Sequence, residues 1–315
     1  MENVTRTHLI KLFIFIAILI TGFYISTQDQ SKVFVLEADA SMDQPISFFR
    51  SQEDQEALTI RYFNLNDKEK SGDSILIKSP EGKTLLIDAG NVKMGEQLNE
   101  LLEQLRVETL DYAIATHPHH DHIGGFFSVI GTIPISQFLM PDIPVVSKLN
   151  QAFHQLLAKR QIHIDYLQKG DSFKLGKEVV IEVLNPSEIP EKQRWTTKQI
   201  NQLALVLKIT YQNTTFLLAS DIYKQTESKL IEEFGEQLHV DLLHIPHHGH
   251  KTSSSSAFLN TVNPEYAIIS SNTSKWKKVY KRLVDKGINT LVTEKNGHIY
   301  IQSNGQQINI SPEIK

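Results

Sequence analysis

The stretch THPHHDHIGG, residues 116–125, places four histidines and an aspartate within positions 117–122 and closes on two glycines. It follows LDYAIAT (110–116), which is apolar enough to be a buried strand. A packed core does not need so many imidazoles, and a solvated loop has no reason to collect them. The spacing H-x-H-x-D-H has a physical reading. Residues two apart in an extended segment face the same way, so His117 and His119 can address one ion. As the chain turns into a helix, expected to begin near residue 123, Asp121 and His122 swing toward a second ion. Imidazole and carboxylate suit zinc, iron or manganese. Two ions close together share a bridging hydroxide, a nucleophile at neutral pH. Gly124 and Gly125 let backbone approach without a Cβ in the way. His120 sits between the ligands and is expected to face elsewhere, exposed or beside a supporting carboxylate. One segment cannot saturate two ions, so distant strand ends have to meet around this one.

The pattern recurs at LLHIPHHGHKTSSSS, where an apolar strand again runs into paired histidines and a glycine. At least one of the pair is expected to bind metal. His247 is favoured as ligand, and His248 as the catalytic group that donates to substrate or protonates the leaving group. His250, Lys251 and serines 253–256 form either a donor-rich loop facing an anionic substrate or a solvated loop in which Ser253 or Ser254 caps a helix. His244 reads as a packed histidine within its strand. Asp221 follows TTFLLAS and precedes a helical pattern, so the residues alone allow a metal ligand or an N-cap.

The chain has 315 residues, 40% of them hydrophobic, enough for one large domain or two fused halves. Its 36 acidic and 32 basic residues leave a net charge of −4, which does not call for a polyanionic partner. It has no cysteine, which rules out disulfides and thiolate metal sites. Residues 9–25 are apolar except for Lys11, and basic residues flank their start. They read as a membrane signal-anchor with the body outside the cytoplasm, or as a signal peptide cleaved near the small residues 38–40. Residues 1–28 are thus expected to be an anchor and 29–57 a polar linker with a short strand at 33–36. The body runs over 58–315.

Within the body, strands are expected at 58–65, 74–80, 83–90 and 110–116, with a helix over 92–106 between the last two. A helix at 151–160 and strands at 164–167 and 179–184 follow, then a polar loop over 185–199. A hairpin at 203–211 and 214–220 precedes a helix over 222–234 and a strand at 240–245. Helices at 254–261 and 276–286 and strands at 266–270, 289–292, 298–302 and 306–310 complete the body. The order strands, helix, strand, histidines, helices occurs twice. It implies an α/β fold of two stacked sheets with helices outside.

Five stretches in order, SGDSILI, TLLIDAG, THPHHDHIGG, FLLASD and LLHIPHHGHKTSSS, resemble the metallo-beta-lactamase fold superfamily. Within it they resemble the ComEC/Rec2 competence-type branch. The resemblance covers about residues 58–302 and implies a four-layer αββα sandwich with the metal site between sheet edges. It implies His117, His119, Asp121, His122, Asp221 and a histidine of the 247–248 pair as ligands. Asp221 would bridge the two ions, and Asp121 would also be catalytic. Asp88, Asp73 and Asn201 would support the ligands. One or two divalent cations, zinc or manganese, are the implied cofactors. Many relatives use a further histidine before the Asp221 position, but here that interval holds only His154 and His163. The branch often has an asparagine near Asn201 instead. It also often has a glycine-histidine-proline stretch where this chain reads SNTSKWKK.

The expected function is a metal-dependent hydrolase. The implied reaction is an extracytoplasmic phosphodiesterase acting on DNA or on a phosphate-containing wall polymer, with no obligate protein partner. Trp195, Tyr166 and Trp276 are aromatic candidates for a quaternary-ammonium headgroup. Lys275, Lys277, Lys278, Lys281 and Arg282 are either phosphate contacts or a solvated helix face. A lactamase would want a complete first ion site and an open apolar groove. The alternative is a weakly catalytic or non-catalytic DNA-binding accessory of the competence type.

Overall fold

The computed structural model describes residues 48–49, 54, 56–65, 72–191 and 194–315. Short apolar runs that alternate their side chains build two sheets. The first is ordered β15-β14-β1-β2-β3-β4-β5-β6 and the second β13-β12-β11-β10-β9-β8-β7. Strands β1 (Leu58–Tyr62), β2 (Ile75–Lys78), β3 (Thr84–Ile87), β4 (Leu110–Ile114), β5 (Ile135–Met140) and β6 (Ile164–Tyr166) belong to the first. It is closed by β14 (Ile299–Ser303) and β15 (Ile308–Pro312). The second holds β7 (Ser172–Leu175), β8 (Val179–Asn185), β9 (Val206–Tyr211), β10 (Thr214–Leu218), β11 (Leu242–His244), β12 (Tyr266–Ile269) and β13 (Asn289–Val292).

The alternation decides which layer each side chain enters. Ile75 and Ile77 of β2 face Phe216 and Leu218 of β10 in the core between the sheets. Leu76 turns outward onto helix Gly95–Gln104 through Leu98, Leu101 and Leu102. Leu217 turns outward onto helices Lys224–Phe234, Ser256–Val262 and Lys277–Asp285, among Leu230, Phe258 and Leu283. Each buried Leu, Ile or Phe contributes roughly 1.5–3 kcal/mol. Four layers, helix, sheet, sheet and helix, bear out the αββα expectation.

Direction matters more than layer count for function. β3, β4, β5 and β6 run parallel, as do β10, β11, β12 and β13. The segments leaving β3 (Asp88), β4 (His117), β10 (Asp221) and β11 (His247, His248) come together at the site described below, at the carboxyl ends of parallel strands, where such folds bind ligands. β2 and β9 are antiparallel to β3 and β10, so the residues entering them, Asp73 and Asn201, reach the same edge.

Several boundaries differ from the sequence reading. The helix after the histidines begins at His120, not near 123, and a second helix, Phe126–Thr132, follows the glycines. A 3-10 turn, Val92–Met94, precedes helix Gly95–Gln104. The sequence reading placed no strand at β5, which Pro134 and Pro141 bracket, or at β7, a short edge strand of mixed polarity. The loop over 185–199 gives way to helix Thr197–Gln202, opened by a capping box between Thr196 and Gln199. Phe48 and Asp54 lie before the expected boundary at 58 but pack on the body: Arg61, 1% exposed, pairs with Asp54 at 2.7 Å and donates to the Phe48 carbonyl at 2.9 Å.

Among the described residues no helix is long and apolar enough to cross a membrane. The expected single-pass placement, with the body outside the cytoplasm, is therefore set aside. The apolar run at 9–25 and the strand expected at 33–36 lie outside the described residues.

Candidate metal centre

The loop after β4 stays extended through His119 (φ −88°, ψ 151°) and then coils into the four-residue helix His120–Ile123. His117 and His119 thus project before the turn, and Asp121 and His122 after it. The loop docks on the segment that follows β3: Ala89 N donates to the His122 carbonyl at 2.8 Å, and Gly125 N to the Gly90 carbonyl at 3.1 Å. The glycines make this possible. A Cβ on Gly125 would stand 1.9 Å from the Ala89 oxygen. Four other site residues hold left-handed backbone, unusual without glycine: Asp88 (φ 57°), Ser220 (φ 44°), His247 (φ 53°) and His248 (φ 51°). Such strain persists where the surroundings over-determine it, as at functional sites. Here His247 N is held by the Ser220 carbonyl at 2.8 Å.

The side chains converge as two groups that share Asp221. One comprises His117, His119 and Asp221, the other His122, His248, Asp221 and Asp73. Asp221 Oδ2 lies 3.8 Å from His117 Nε2 and 3.6 Å from His122 Nε2. Its Oδ1 lies 3.5 Å from His248 Nε2, and Asp121 Oδ2 lies 4.0 Å from that same nitrogen. Helix Lys224–Phe234 begins after Tyr223 with no side-chain cap, so Asp221 is not an N-cap.

Behind the second group stand carboxylates. His122 Nδ1 donates to Asp88 Oδ2 at 2.7 Å, and Asp88 also accepts from Thr116 N and Oγ1 at 2.8 and 2.7 Å. His248 Nδ1 donates to the Ser270 carbonyl at 3.1 Å and lies 3.3 Å from Asp73 Oδ1. Anchoring Nδ1–H in this way points the Nε2 lone pair into the site. The buried atoms His122 Nε2, His248 Nε2 and Asp221 Oδ1 have no hydrogen-bond partner. Such groups are costly to bury unsatisfied, and they are of the kind that a nitrogen–oxygen metal site uses as donors. The residues therefore fit the divalent cations that the sequence implied.

The charges tell the same story. Burial opposes a charged His122, yet Asp88 and Asp221 hold its imidazole well above its ordinary range. Burial also opposes a charged His248, but Asp221 and Asp73 push it up to about 9. Burial would raise Asp221, but His248 and His122 hold it well below the usual carboxylate range. The carboxylates around His122 and His248 thus favour positive charge at this end of the site. His117 goes the other way: burial, then His122 and His119, hold it well below its ordinary value.

The remaining expected residues divide. Asn201 Nδ2 donates to Asp221 Oδ2 at 3.3 Å. His247 is outside the two groups, stacked on Tyr223 with ring centroids 4.9 Å apart, its Nδ1 2.6 Å from Thr252 Oγ1 and its Nε2 3.8 Å from Asp221. Burial holds its pKa down to about 4. His120 is exposed. His154 lines a separate cavity and His163 is exposed beside Asp165, so neither joins the site. Ser255 caps the helix that follows, Ser254 N and Ser255 N donate to the Glu227 carboxylate, and Ser253 donates to the Ile222 carbonyl at 2.6 Å. Tyr166 lines the cavity of His154, and Trp276 is buried, so these aromatic candidates do not come together. His244, expected only to pack, faces Asp73 Oδ1 at 3.6 Å. A histidine two residues before a Pro-His-His turn was the available signal.

A cleft of about 260 Å³ opens onto the site, lined among others by His119, Asp221, His247, His248 and Lys275.

ComE operon protein 3 of Bacillus subtilis is 26% identical over 250 residues, covering 72% of this chain and 31% of that protein. Competence protein ComA of Neisseria gonorrhoeae is 28% identical over 234 residues, covering 72% of this chain and 30% of that protein. The chain thus matches less than a third of the length of these relatives. Solved structures with similar folds include YhfI from Bacillus subtilis, with a TM-score of 0.49 and 16% identity over 75% of this chain and 95% of that one. The family pattern of the metallo-beta-lactamase superfamily matches residues 68–271, and with it this chain belongs to that superfamily of metal-dependent hydrolases.

Proposed function

We propose that the protein is a divalent-metal phosphodiesterase that cleaves DNA or another phosphate-linked polymer. The observation that carries this reading is the convergence of His117, His119, His122 and His248 on Asp221, with buried Nε2 atoms of His122 and His248 left unpartnered. His117, His119 and Asp221 would hold one ion. Asp121, His122, His248 and Asp221 would hold the other, and either zinc or manganese suits the donors. When bound, the ions supply Lewis-acid charge at a phosphoryl oxygen and an acidified water as nucleophile.

The chain's own residues do the rest. Asp221 would contribute to both positions. Asp88 and Asp73 orient His122 and His248 and keep their Nδ1 atoms protonated. In this reading His248 is the ligand of the pair, and His247, which lines the cleft, is the substrate-facing group. At neutral pH His247 is an uncharged imidazole, able to hydrogen-bond a phosphoryl or leaving-group oxygen. Asp121, on the short helix, completes the second position and can accept a proton from the nucleophile.

A second reading has its own support. One relative is named a competence protein, and Asn201 rather than an imidazole stands beside the first position. Under that reading the protein binds DNA as an accessory and turns it over weakly or not at all. Metal analysis of the purified protein, with turnover of bis-p-nitrophenyl phosphate in the presence and absence of manganese or zinc, separates the two. Bound metal with metal-dependent turnover is the expected result. No metal and no turnover, together with tight DNA binding, would sink the phosphodiesterase.

A further inference from the structure

We propose that Lys275 selects the substrate by gripping a phosphate group next to the scissile one, so that the preferred substrate is a polyanionic strand. This rests on the phosphodiesterase reading above.

Lys275 lines the same cleft as His119, Asp221 and His248, and it is the one lysine or arginine doing so among the described residues. Several of its basic neighbours are engaged elsewhere. Lys281 pairs with Asp285 at 2.8 Å, Arg282 donates to the Ser254 carbonyl, and Lys295 lies over the rings of Trp276 and Tyr280 at 4.8 and 4.5 Å. Lys277 and Lys278 are exposed on the helix that follows. The basic run read from the sequence is therefore not one patch, since the fold brings one of its five charges to the site.

The backbone that carries this lysine is well fixed. Lys275 sits in the 3-10 turn Ser274–Trp276, whose last residue is buried and donates its indole N–H to Glu294. Gly249 of the Pro-His-His-Gly turn lies against that tryptophan: a Cβ at 249 would come 2.8 Å from Trp276 Cβ and 3.1 Å from Ile269 Cγ2. The turn bearing Lys275 and the turn bearing His247 and His248 are thus packed together. The backbone at Lys275 is therefore held beside the turn that carries His247 and His248, and its exposed side chain lines the cleft.

Charge then assigns the substrate class. The inner part of the cleft is acidic, with Asp121 and Asp221 among its lining, and bound cations would offset those charges and that of the scissile phosphate. A second phosphate along the strand would meet Lys275. A quaternary-ammonium headgroup in the same place would meet a like charge. It would also lack an aromatic cage, because among the described residues no phenylalanine, tyrosine or tryptophan lines the cleft. A strand of linked phosphates fits, and a choline-phosphate ester does not.

The test compares the metal-loaded wild-type chain with Lys275→Ala and Lys275→Arg on three substrates: TpT, and the same dinucleotide carrying a 5′- or a 3′-terminal phosphate. The wild type is expected to favour one phosphorylated form over TpT about tenfold through KM. Lys275→Ala should erase that preference, and Lys275→Arg should keep it. A second readout does not need turnover. Fluorescence anisotropy of a labelled ten-nucleotide oligothymidylate should show the log–log salt slope of binding falling by about 0.7 to 1 in Lys275→Ala. A wild type with no preference, a preference that survives in Lys275→Ala, or an unchanged salt slope would each overturn the proposal. A Lys275-dependent slope without turnover on any substrate would keep the grip and reject the phosphodiesterase.

Discussion

The two halves of the metal centre differ in what stands behind their imidazoles. His122 and His248 each have a buried carboxylate, Asp88 or Asp73, at Nδ1. His117 Nδ1 has only hydroxyls, Thr116 Oγ1 at 3.2 Å and Ser220 Oγ at 3.4 Å, and its Nε2 lies 2.9 Å from His119 Nδ1. The consequence shows in their protonation, with His122 and His248 raised and His117 lowered. A carboxylate behind a histidine fixes its tautomer and makes it a stronger ligand. The second half is therefore expected to hold an ion more tightly than the first. Motif spacing alone does not set this difference, because the same H-x-H-x-D-H run supplies both halves.

The largest test of this contrast is the residue the halves share. Asp221→Ala is expected to lower turnover roughly a thousandfold, about 4 kcal/mol, with loss of both ions by metal analysis. Retention of one tightly bound ion would mean that the halves do not depend on the bridge. Next come the supporting carboxylates. Asp88→Asn and Asp73→Asn should weaken the tighter of two calorimetric binding events by about 10–100-fold and leave the weaker one unchanged. Equal weakening of both events would break the comparison.

The pH dependence of the metal-free protein sharpens it further. A raised folded-state pKa means that the folded state holds the proton more tightly. The His248 contribution is therefore complete below the ordinary value of 6.5 and is lost as pH rises through about 9. His247, held down to about 4, has the opposite sign and costs stability as pH falls from 6.5 toward 4. The unfolding temperature of the metal-free protein should fall between pH 6.5 and 9, and zinc should remove much of that fall by taking the proton's place. A flat profile without metal would show that His248 is not charged there. The smallest effect belongs to His120, which is exposed beside the ligands. His120→Ala should change turnover less than twofold and stability by less than about 0.5 kcal/mol, as expected for a surface site.

Much of the architecture could be read from the chain because alternation and helical periodicity are local signals. SILIKSP and TLLIDAG became β2 and β3 within a few residues, and the stripe of Leu98, Leu101 and Leu102 became a buried helix face. No strand was read at Ile135–Met140, where prolines, a local sign of loop, only bracket a parallel strand. The helix from Thr197 had a legible signal in its capping box, Thr196 to Gln199, hidden inside a polar run.

The sequence by itself determined the ligand types, the spacing that splits His117 and His119 from Asp121 and His122, and the strand pattern that requires two sheets. Those features depend on neighbours along the chain. Tertiary structure alone decided that Asp221 lies between the two groups, that His248 points inward while His247 stacks on Tyr223, and that Lys275 alone of its basic run reaches the cleft. Each of these depends on left-handed turns and close loop packing between segments far apart in sequence, and no local pattern encodes the direction in which such a turn aims a side chain.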